Sequence, residues 1–295
     1  MKLLKIRASG IPLFQEYCEI NFLAQQRVTE DNAEKMSLIF CNGTQGFYQN
    51  NVLSVIGINA SGKTTILKLI TFVCRMLNNE PLNSIDCVDV LDGLAEGDRA
   101  TFDTYFFAHN RETFPRSEEG AVNFLRTVIT KKENKLVIVY ETLKSKSLSS
   151  IKSKKTLFDF DGVEINLSRS MNNNVEFLLD DVSIMVAFNK RNREQITFSE
   201  LLRYTNINQL SLKEDCPIEL ITFFDTSIEY LRMESKSNGM DIHLKFKGQD
   251  EFLLKQLAEL DIYLSSGTIK GINVFWKAME TFQTGGYLIV DELEN

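Results

Sequence analysis

The sequence predicts an α/β fold, with an antiparallel β region and a separate helical stretch, on three observations. Residues 52–56 and 287–290 are short, apolar, β-branched runs with the length and composition of buried strands. Residues 101–107, 122–130 and 135–143 also read as strands, the last two joined as a hairpin through Lys131, Lys132, Glu133 and Asn134. Two apolar sets recur at helical spacing: Ile66, Leu67, Leu69, Ile70, Phe72 and Val73, then Ile269, Ile272, Phe275, Trp276, Met279 and Phe282.

In chain order, residues 3–7 and 18–22 are two short strands expected to pair, with Gly10, Ile11 and Pro12 in the turn between them. Residues 24–50 are polar and read as irregular. The strand at 52–56 leads through a glycine-rich turn into a helix whose apolar face packs on a sheet, ending near Asn78 and Asn79. From about 195 to 235 the pattern turns helical, carried by Phe198, Leu201 and Leu202, then Leu220, Ile221, Phe224, Ile228 and Leu231. Residues 240–247 alternate as a strand. The last helix is followed by Gly285, Gly286 and the strand at 287–290, with no internal repeat and no sustained heptad seam.

Composition narrows the class. With 295 residues, 43% hydrophobic, the chain is long enough for one large domain or two small ones, and can bury about three-quarters of its unfolded surface. Four prolines and no biased tract argue against a disordered linker. No apolar run approaches the ~20 residues that span a bilayer, which excludes membrane insertion. The N-terminus lacks the apolar core of a secretory signal, so the expected compartment is the cytoplasm. Cysteines at 18, 41, 74, 87 and 216 have no metal or redox spacing and read as ordinary thiols. His109 and His243 lack metal-motif spacing and read as structural or solvent-facing. The net charge of -7 is uneven: residues 121–155 hold nine cations against two acids. Clustered on one face, these would be a footprint for DNA; otherwise they are a solvated hairpin and loop.

The most specific signal is Gly57-Ile58-Asn59-Ala60-Ser61-Gly62-Lys63-Thr64, followed by Thr65, a complete phosphate-binding P-loop between a predicted strand and a predicted helix. Its glycines let successive backbone N–H groups turn toward phosphate oxygens, and the helix N-terminus adds positive potential. Lys63 would reach the β- and γ-phosphates, and the Thr64 hydroxyl would hold Mg²⁺. Nearer the other end, the strand at 287–290 is expected to carry Asp291 and Glu292 to the carboxyl edge of a parallel sheet, where the P-loop also sits. There Asp291 would orient Mg²⁺ through its water shell, and Glu292 would polarise the attacking water as general base. Leu264-Ser265-Ser266-Gly267-Thr268 places hydroxyls and a glycine at a helix start, which is either an anion site or a plain N-cap.

The order of P-loop, Leu264-Ser265-Ser266-Gly267-Thr268 and a strand ending in Asp291-Glu292 resembles the ABC-type ATPases. The early strand Leu3-Leu4-Lys5-Ile6 and the ending Val290-Asp291-Glu292-Leu293-Glu294-Asn295 look more like the OLD-like and RecF/SMC-like branch, found in phage defence and abortive infection. The resemblance covers the whole chain in layout and about 20 residues in specific motifs. It implies one ABC-ATPase head over residues 1–295, with 1–100 and 240–295 as nucleotide-binding core, about 101–190 as antiparallel β region and about 191–239 as helical lid. It further implies ATP and Mg²⁺ as ligands, held by Gly57, Asn59, Ala60, Ser61, Gly62, Lys63, Thr64 and Thr65 of one subunit. Ser265, Ser266 and Gly267 of a second copy would complete the site, making ATP the glue of a homodimer or larger homo-oligomer. Lys63 and Glu292 would be catalytic, and Thr64 and Asp291 would serve the metal.

The sequence departs from that pattern in three places. The interval between Lys63 and Ser265 is too short for long coiled-coil arms, so a compact lid is expected. Residues 98–107, where a Q-loop is expected, contain no glutamine. The family continues past the Asp-Glu strand into a D-loop, a further strand and a switch histidine, so the rest is expected in a C-terminal remainder beyond Asn295, with or without a nuclease such as a Toprim domain, the alternative being a separate polypeptide that supplies it. The resulting expectation is a slow ATPase whose nucleotide-driven closure gates a nuclease or toxin in antiviral defence. The alternatives are a RecF-type DNA-binding module, an ATP-assembled scaffold that sequesters a partner, and, weakest, a transporter ATPase with Phe47 or Tyr48 stacked on adenine.

Overall fold

The computed structural model describes residues 1–14, 16–43, 45–109, 120–169, 178–203, 217–236 and 239–292. These form a mixed α/β structure of two compact units, 1–196 and 197–295.

The first unit is built on an antiparallel sheet. Its elements are β1 (Lys2–Ser9), β2 (Tyr17–Asn21), β3 (Met36–Asn42), β4 (Gln45–Asn50), α1 (Lys63–Leu77), β5 (Arg99–His109), β6 (Gly120–Lys132), β7 (Lys135–Ser147), α2 (Lys154–Leu157), β8 (Ile165–Arg169) and α3 (Met185–Asn192). Six strands run in the order β2-β1-β5-β6-β7-β8, each pair antiparallel. The expected pairing of the first two strands is present, and so is the hairpin at 132–135. Its two-residue turn, Glu133 and Asn134, has φ of 52° and 62°, the handedness that matches strand twist.

Both faces of this sheet are covered, and β5 shows how. Phe102 meets Phe72 of α1 at a tilt, ring centroids 5.4 Å apart, and Phe106 meets Phe188 of α3 edge-on at 5.6 Å. On the opposite face Tyr105 and Phe107 join a cluster with Leu4, Phe40, Phe47, Val122, Phe124, Leu157 and Phe160. The alternation of the strand thus serves two cores.

Two expectations fail in this unit. Residues 24–50 are not irregular throughout, because β3 and β4 form a hairpin that delivers Phe40 and Phe47 to the second core. Its single buried face is diluted by polar neighbours, which hid the alternation. Residues 52–56 form no strand: Val52 is 78% and Ile56 92% exposed. A strand exists only through a ladder, and the six-stranded sheet ends at β2 and β8 without taking this segment.

A buried polar knot ties α3 to the sheet. Glu141 of β7 is fully buried and accepts from Thr127 Oγ1 (2.8 Å), Ser183 Oγ (2.6 Å) and the Ile184 backbone N–H (2.7 Å). Its register partner Arg169 donates to the carbonyls of Leu179, Asp180 and Val182. Burial pushes the Glu141 carboxyl above its ordinary pKa, against the pull of those donors.

The second unit contains β9 (Phe198–Leu201), α4 (Ile218–Phe224), β10 (Ile228–Lys236), β11 (Gly239–Phe246), β12 (Glu251–Leu254), α5 (Ser266–Thr284) and β13 (Tyr287–Val290). An antiparallel sheet β10-β11-β12 packs Leu231, Ile242, Leu244 and Leu254 against Ile221 of α4 and Ile269 and Ile272 of α5. A separate two-stranded sheet pairs β13 with β9 in parallel. Among the described residues, the helical expectation for 195–235 holds only for α4. Phe198 and Leu201 lie in β9, and Ile228 and Leu231 in β10, because short apolar spacings of three fit a half-buried strand as readily as a helix. Leu202 lies outside any element, and residues 204–216, including Cys216, lie outside the described residues.

Candidate phosphate site

The phosphate loop sits at the start of α1 in the first unit. Gly62 takes the left-handed conformation (φ 89°, ψ 16°) that turns the chain into the helix, and its carbonyl accepts the Ile66 N–H at 3.0 Å. Upstream, the Ser61 N–H donates to the Ile58 carbonyl at 3.2 Å, and Ala60 is also left-handed at φ 62°. The loop is tight at Gly57, where a Cβ would stand 2.3 Å from Ser61 Oγ. Lys63 folds its ammonium back over the loop, donating to the carbonyls of Gly57 (2.9 Å) and Ile58 (3.1 Å). Gly57, Asn59, Ala60, Ser61 and Thr64 are exposed, while Gly62, Lys63 and Thr65 are half-buried.

A cavity of ≈ 350 Å³ opens here, lined by Leu13, Phe14, Ala60, Ser61, Gly62, Thr64 and Thr65. The first turn of α1 contains no acid, so the helix N-terminus faces the cavity with N–H groups and without a competing carboxylate. The lining offers backbone N–H groups and hydroxyls, which suit phosphate oxygens, while the Lys63 ammonium lies on the loop's own carbonyls outside that lining; the exposed Thr64 hydroxyl suits a hard cation.

In the second unit, Ser265 is the N-cap of α5. Its Oγ accepts the Thr268 N–H at 3.0 Å and lies 2.8 Å from Thr268 Oγ1. The cap explains Ser265 without a ligand, whereas Ser266 and Gly267 are exposed and carry the outward N–H groups of the first turn.

The same helix is followed by β13, whose parallel pairing brings Asp291 to the carboxyl end of the strand. The Asp291 N–H donates to Leu201 O at 3.1 Å, one step past the strand, and Asp291 Oδ1 accepts the Glu292 N–H at 3.0 Å. Glu292 is exposed and left-handed at φ 51°, an uncommon conformation for a side chain of its size. The buried ammonium of Lys270, on α5, donates to the Glu292 carbonyl. Lys270 was not anticipated; a lysine inside an otherwise apolar helix face was its only signal.

Other expectations can be placed as well. Phe47 is 1% exposed and stacks on Phe40 at 4.6 Å, so it is a core residue and not a base-stacking one. Half-buried Tyr48 lies against Gly46 in the same hairpin. His109 pairs with Glu194 at 3.1 Å, a structural role. In the segment 121–155, Arg126 is held by both oxygens of Asp103 (2.6 and 2.8 Å), while Lys144, Lys146 and Lys154 donate to backbone carbonyls. The Asp103 carboxylate offsets the Arg126 charge, whereas the carbonyls offset none of the charge on the three lysines.

Glu234, Asp241 and His243 place ligand atoms within 4.8 Å of one another on the solvent face of the β10-β11-β12 sheet. Their charge is compensated internally. Lys236 and Lys255 hold Asp241 at 2.5 and 2.6 Å, and His243 Nδ1 lies 3.1 Å from Glu251. The two ammoniums hold the Asp241 carboxyl at a pKa of about 2.

Comparison with protein-family models gives no match, and comparison with curated protein sequences gives no significant match. Among the described residues no helix is long and apolar enough to cross a membrane.

Proposed function

We propose that this chain is an ATP-binding and hydrolysing P-loop ATPase of ABC type. The observation that carries the reading is the loop itself: a complete motif, turned by left-handed Gly62 into a 15-residue helix, with Lys63 already over the loop and an open cavity in front of it. In this reading the N–H groups of residues 60–65 and the Lys63 ammonium bind and orient the phosphates. Mg²⁺, held through Thr64 and oriented by Asp291, would supply charge neutralisation at the phosphate oxygens. Glu292 takes a proton from the attacking water. The roles of Asp291 and Glu292 rest on the sequence resemblance alone: the expected shared sheet is absent among the described residues, since the strand that ends in them pairs with β9 in the second unit and the loop belongs to the first.

The same resemblance extends to assembly and biology: closure of two copies around ATP, with Ser266 and Gly267 of one copy on the phosphates of the other, gating a nuclease or toxin in antiviral defence. The test measures phosphate release and light-scattering mass with Mg·ATP for the wild type, Lys63→Ala and Glu292→Gln. Hydrolysis lost in both variants, with an ATP-dependent dimer trapped by Glu292→Gln, is the expected result. Hydrolysis that persists in Lys63→Ala sinks the ATPase reading. Phage protection that survives both substitutions sinks the gating role.

A further inference from the structure

The first unit has another cavity, of ≈ 190 Å³, lined by residues of β5, β6, β7, β8 and α3 and sharing none with the phosphate loop. Small side chains open it. Ala108 of β5 stands opposite Ala121 of β6, and Ala187 of α3 lines the same space. Leu143, Leu167 and Phe188 give it apolar walls. A cavity of about 150 Å³ holds one benzene, so this one has room for a single six-membered ring with substituents.

The polar groups of the lining are held in place by their neighbours. His109 Nδ1 lies 3.1 Å from buried Glu194, whose carboxylate can only accept, so Nδ1 carries the hydrogen and Nε2 of the neutral ring keeps its lone pair. Nε2 has no partner among the described residues. Asn192, 7% exposed, donates one amide hydrogen to the Phe188 carbonyl at 3.2 Å, while its Oδ1 has no partner among the described residues. Asn123, 1% exposed, donates to the Ala121 carbonyl at 3.1 Å and accepts from Ser145 Oγ at 2.6 Å, which leaves its second amide hydrogen. Arg191 also lines the space but is exposed and already engaged.

The lining therefore offers two acceptors, His109 Nε2 and Asn192 Oδ1, beside the amide donors of Asn123 and Asn192. An anion brings acceptors only and would set its oxygens against those two lone pairs. A purely apolar ring would leave the amides unpaired. A flat heterocycle with N–H and C=O on one edge answers both, and side-chain amides read such edges on bases by paired hydrogen bonds. We infer that this cavity binds one uncharged pyrimidine-type heterocycle, its polar edge on Asn123, Asn192 and His109 and its ring among Leu143, Leu167 and Phe188. The site is independent of the ATPase reading, and stands or falls without it.

The experiment is ligand-observed NMR titration of uracil, cytosine, phenol and benzoate with the full chain, as wild type, Asn192→Leu and Ala187→Trp. At least one of the two bases should bind with Kd below about 1 mM, well inside the ceiling for so small a ligand. Phenol and benzoate should bind roughly tenfold or more weakly, the scale of one or two hydrogen bonds left unmade. Ala187→Trp fills the cavity from an exposed helix position and should abolish binding. Asn192→Leu should weaken the bases roughly tenfold and leave phenol unchanged. Phenol bound as tightly as the bases would make the cavity a merely apolar one, and benzoate bound most tightly would make it an anion site; either result overturns the assignment. So does failure of both bases to bind, or base binding that survives Ala187→Trp. Thermal melts separate lost recognition from lost folding, and Ala187→Trp carries the test if Asn192→Leu melts early.

Discussion

The Lys63 ammonium donates to the Gly57 carbonyl oxygen at 2.9 Å, joining the last turn of the phosphate loop to its first residue. The bond neutralises nothing, because a carbonyl carries no net charge, so a phosphate oxygen is the stronger partner for the same ammonium. Lys63→Ala should therefore weaken Mg·ATP binding by roughly 10- to 100-fold, the value of one or two hydrogen bonds to a charged group. The fold should be untouched, since Lys63 is only half-buried. Calorimetry beside a thermal melt checks both halves. Equal affinity in the variant removes the lysine from the site.

Gly62 supplies backbone conformation and not space. No heavy atom lies within 4 Å of where its Cβ would be, so Gly62→Ala meets no clash and its cost is that of an L-residue held at φ 89°. That cost is about 1–2 kcal/mol. The loop can escape it by rotating Gly62 out of the left-handed region, which would move the N–H groups off the cavity. Nucleotide affinity should consequently fall more than stability does, measured by calorimetry and urea unfolding on one sample. A variant that loses stability but binds ATP normally would show that the left-handed turn is not what aims the loop.

At the start of α5 two adjacent serines do different work. Ser265 caps the helix through Thr268, and Ser265→Ala should cost about 1 kcal/mol of stability. Ser266 is exposed within the first turn, so Ser266→Arg should leave the urea midpoint nearly unchanged. On a Glu292→Gln background the arginine should abolish the proposed ATP-dependent dimer, with light scattering as the readout. If the dimer persists, the segment is a helix cap and nothing more.

Legibility from sequence followed how local each feature is. The loop and α1 were readable because Gly62, Lys63 and the apolar set Leu69, Ile70, Phe72 and Val73 act within one turn or one helix. The hairpin of β6 and β7 was readable because alternation and a two-residue turn are short-range signals. Residues 52–56 read as a strand because composition reports apolarity without naming a partner, and pairing is what decides strand formation. β9 and β10 read as helix because three-residue spacings are ambiguous over so few positions. Lys270 and Glu141 gain their roles from neighbours distant in sequence, to which no local pattern points.

Glu141 is the group on which the α3 side of the sheet depends. Removing it leaves two buried hydroxyls and the Ile184 N–H without their acceptor. Glu141→Ala should destabilise the chain by about 3–5 kcal/mol, the range for breaking a buried polar network. Glu141→Gln keeps the shape and one accepting oxygen, but its NH2 replaces the other acceptor and meets a donor, so it should cost less than Ala without matching the wild type. Urea unfolding of the three proteins ranks them. A Gln variant as unstable as the Ala variant would mean that the network needs both oxygens of Glu141 as acceptors.

Asp241 makes stability depend on acid. It lies on central strand β11 and is gripped from both neighbours, by Lys236 at the end of β10 and by Lys255 just past β12. Those ammoniums lower its carboxyl from 3.8 to about 2. A depressed carboxyl binds fewer protons folded than unfolded, so its contribution is complete above the unfolded pKa and is lost as pH falls through the folded one. The window therefore runs from about pH 4 down to about pH 2. Asp241→Asn cannot titrate, so the wild type should be the more stable at pH 5 and should lose that lead steadily between pH 4 and 2. Urea midpoints of the two proteins at half-unit steps of pH measure the lead directly. A lead that stays constant down to pH 2 would show that Lys236 and Lys255 do not hold the carboxylate in solution.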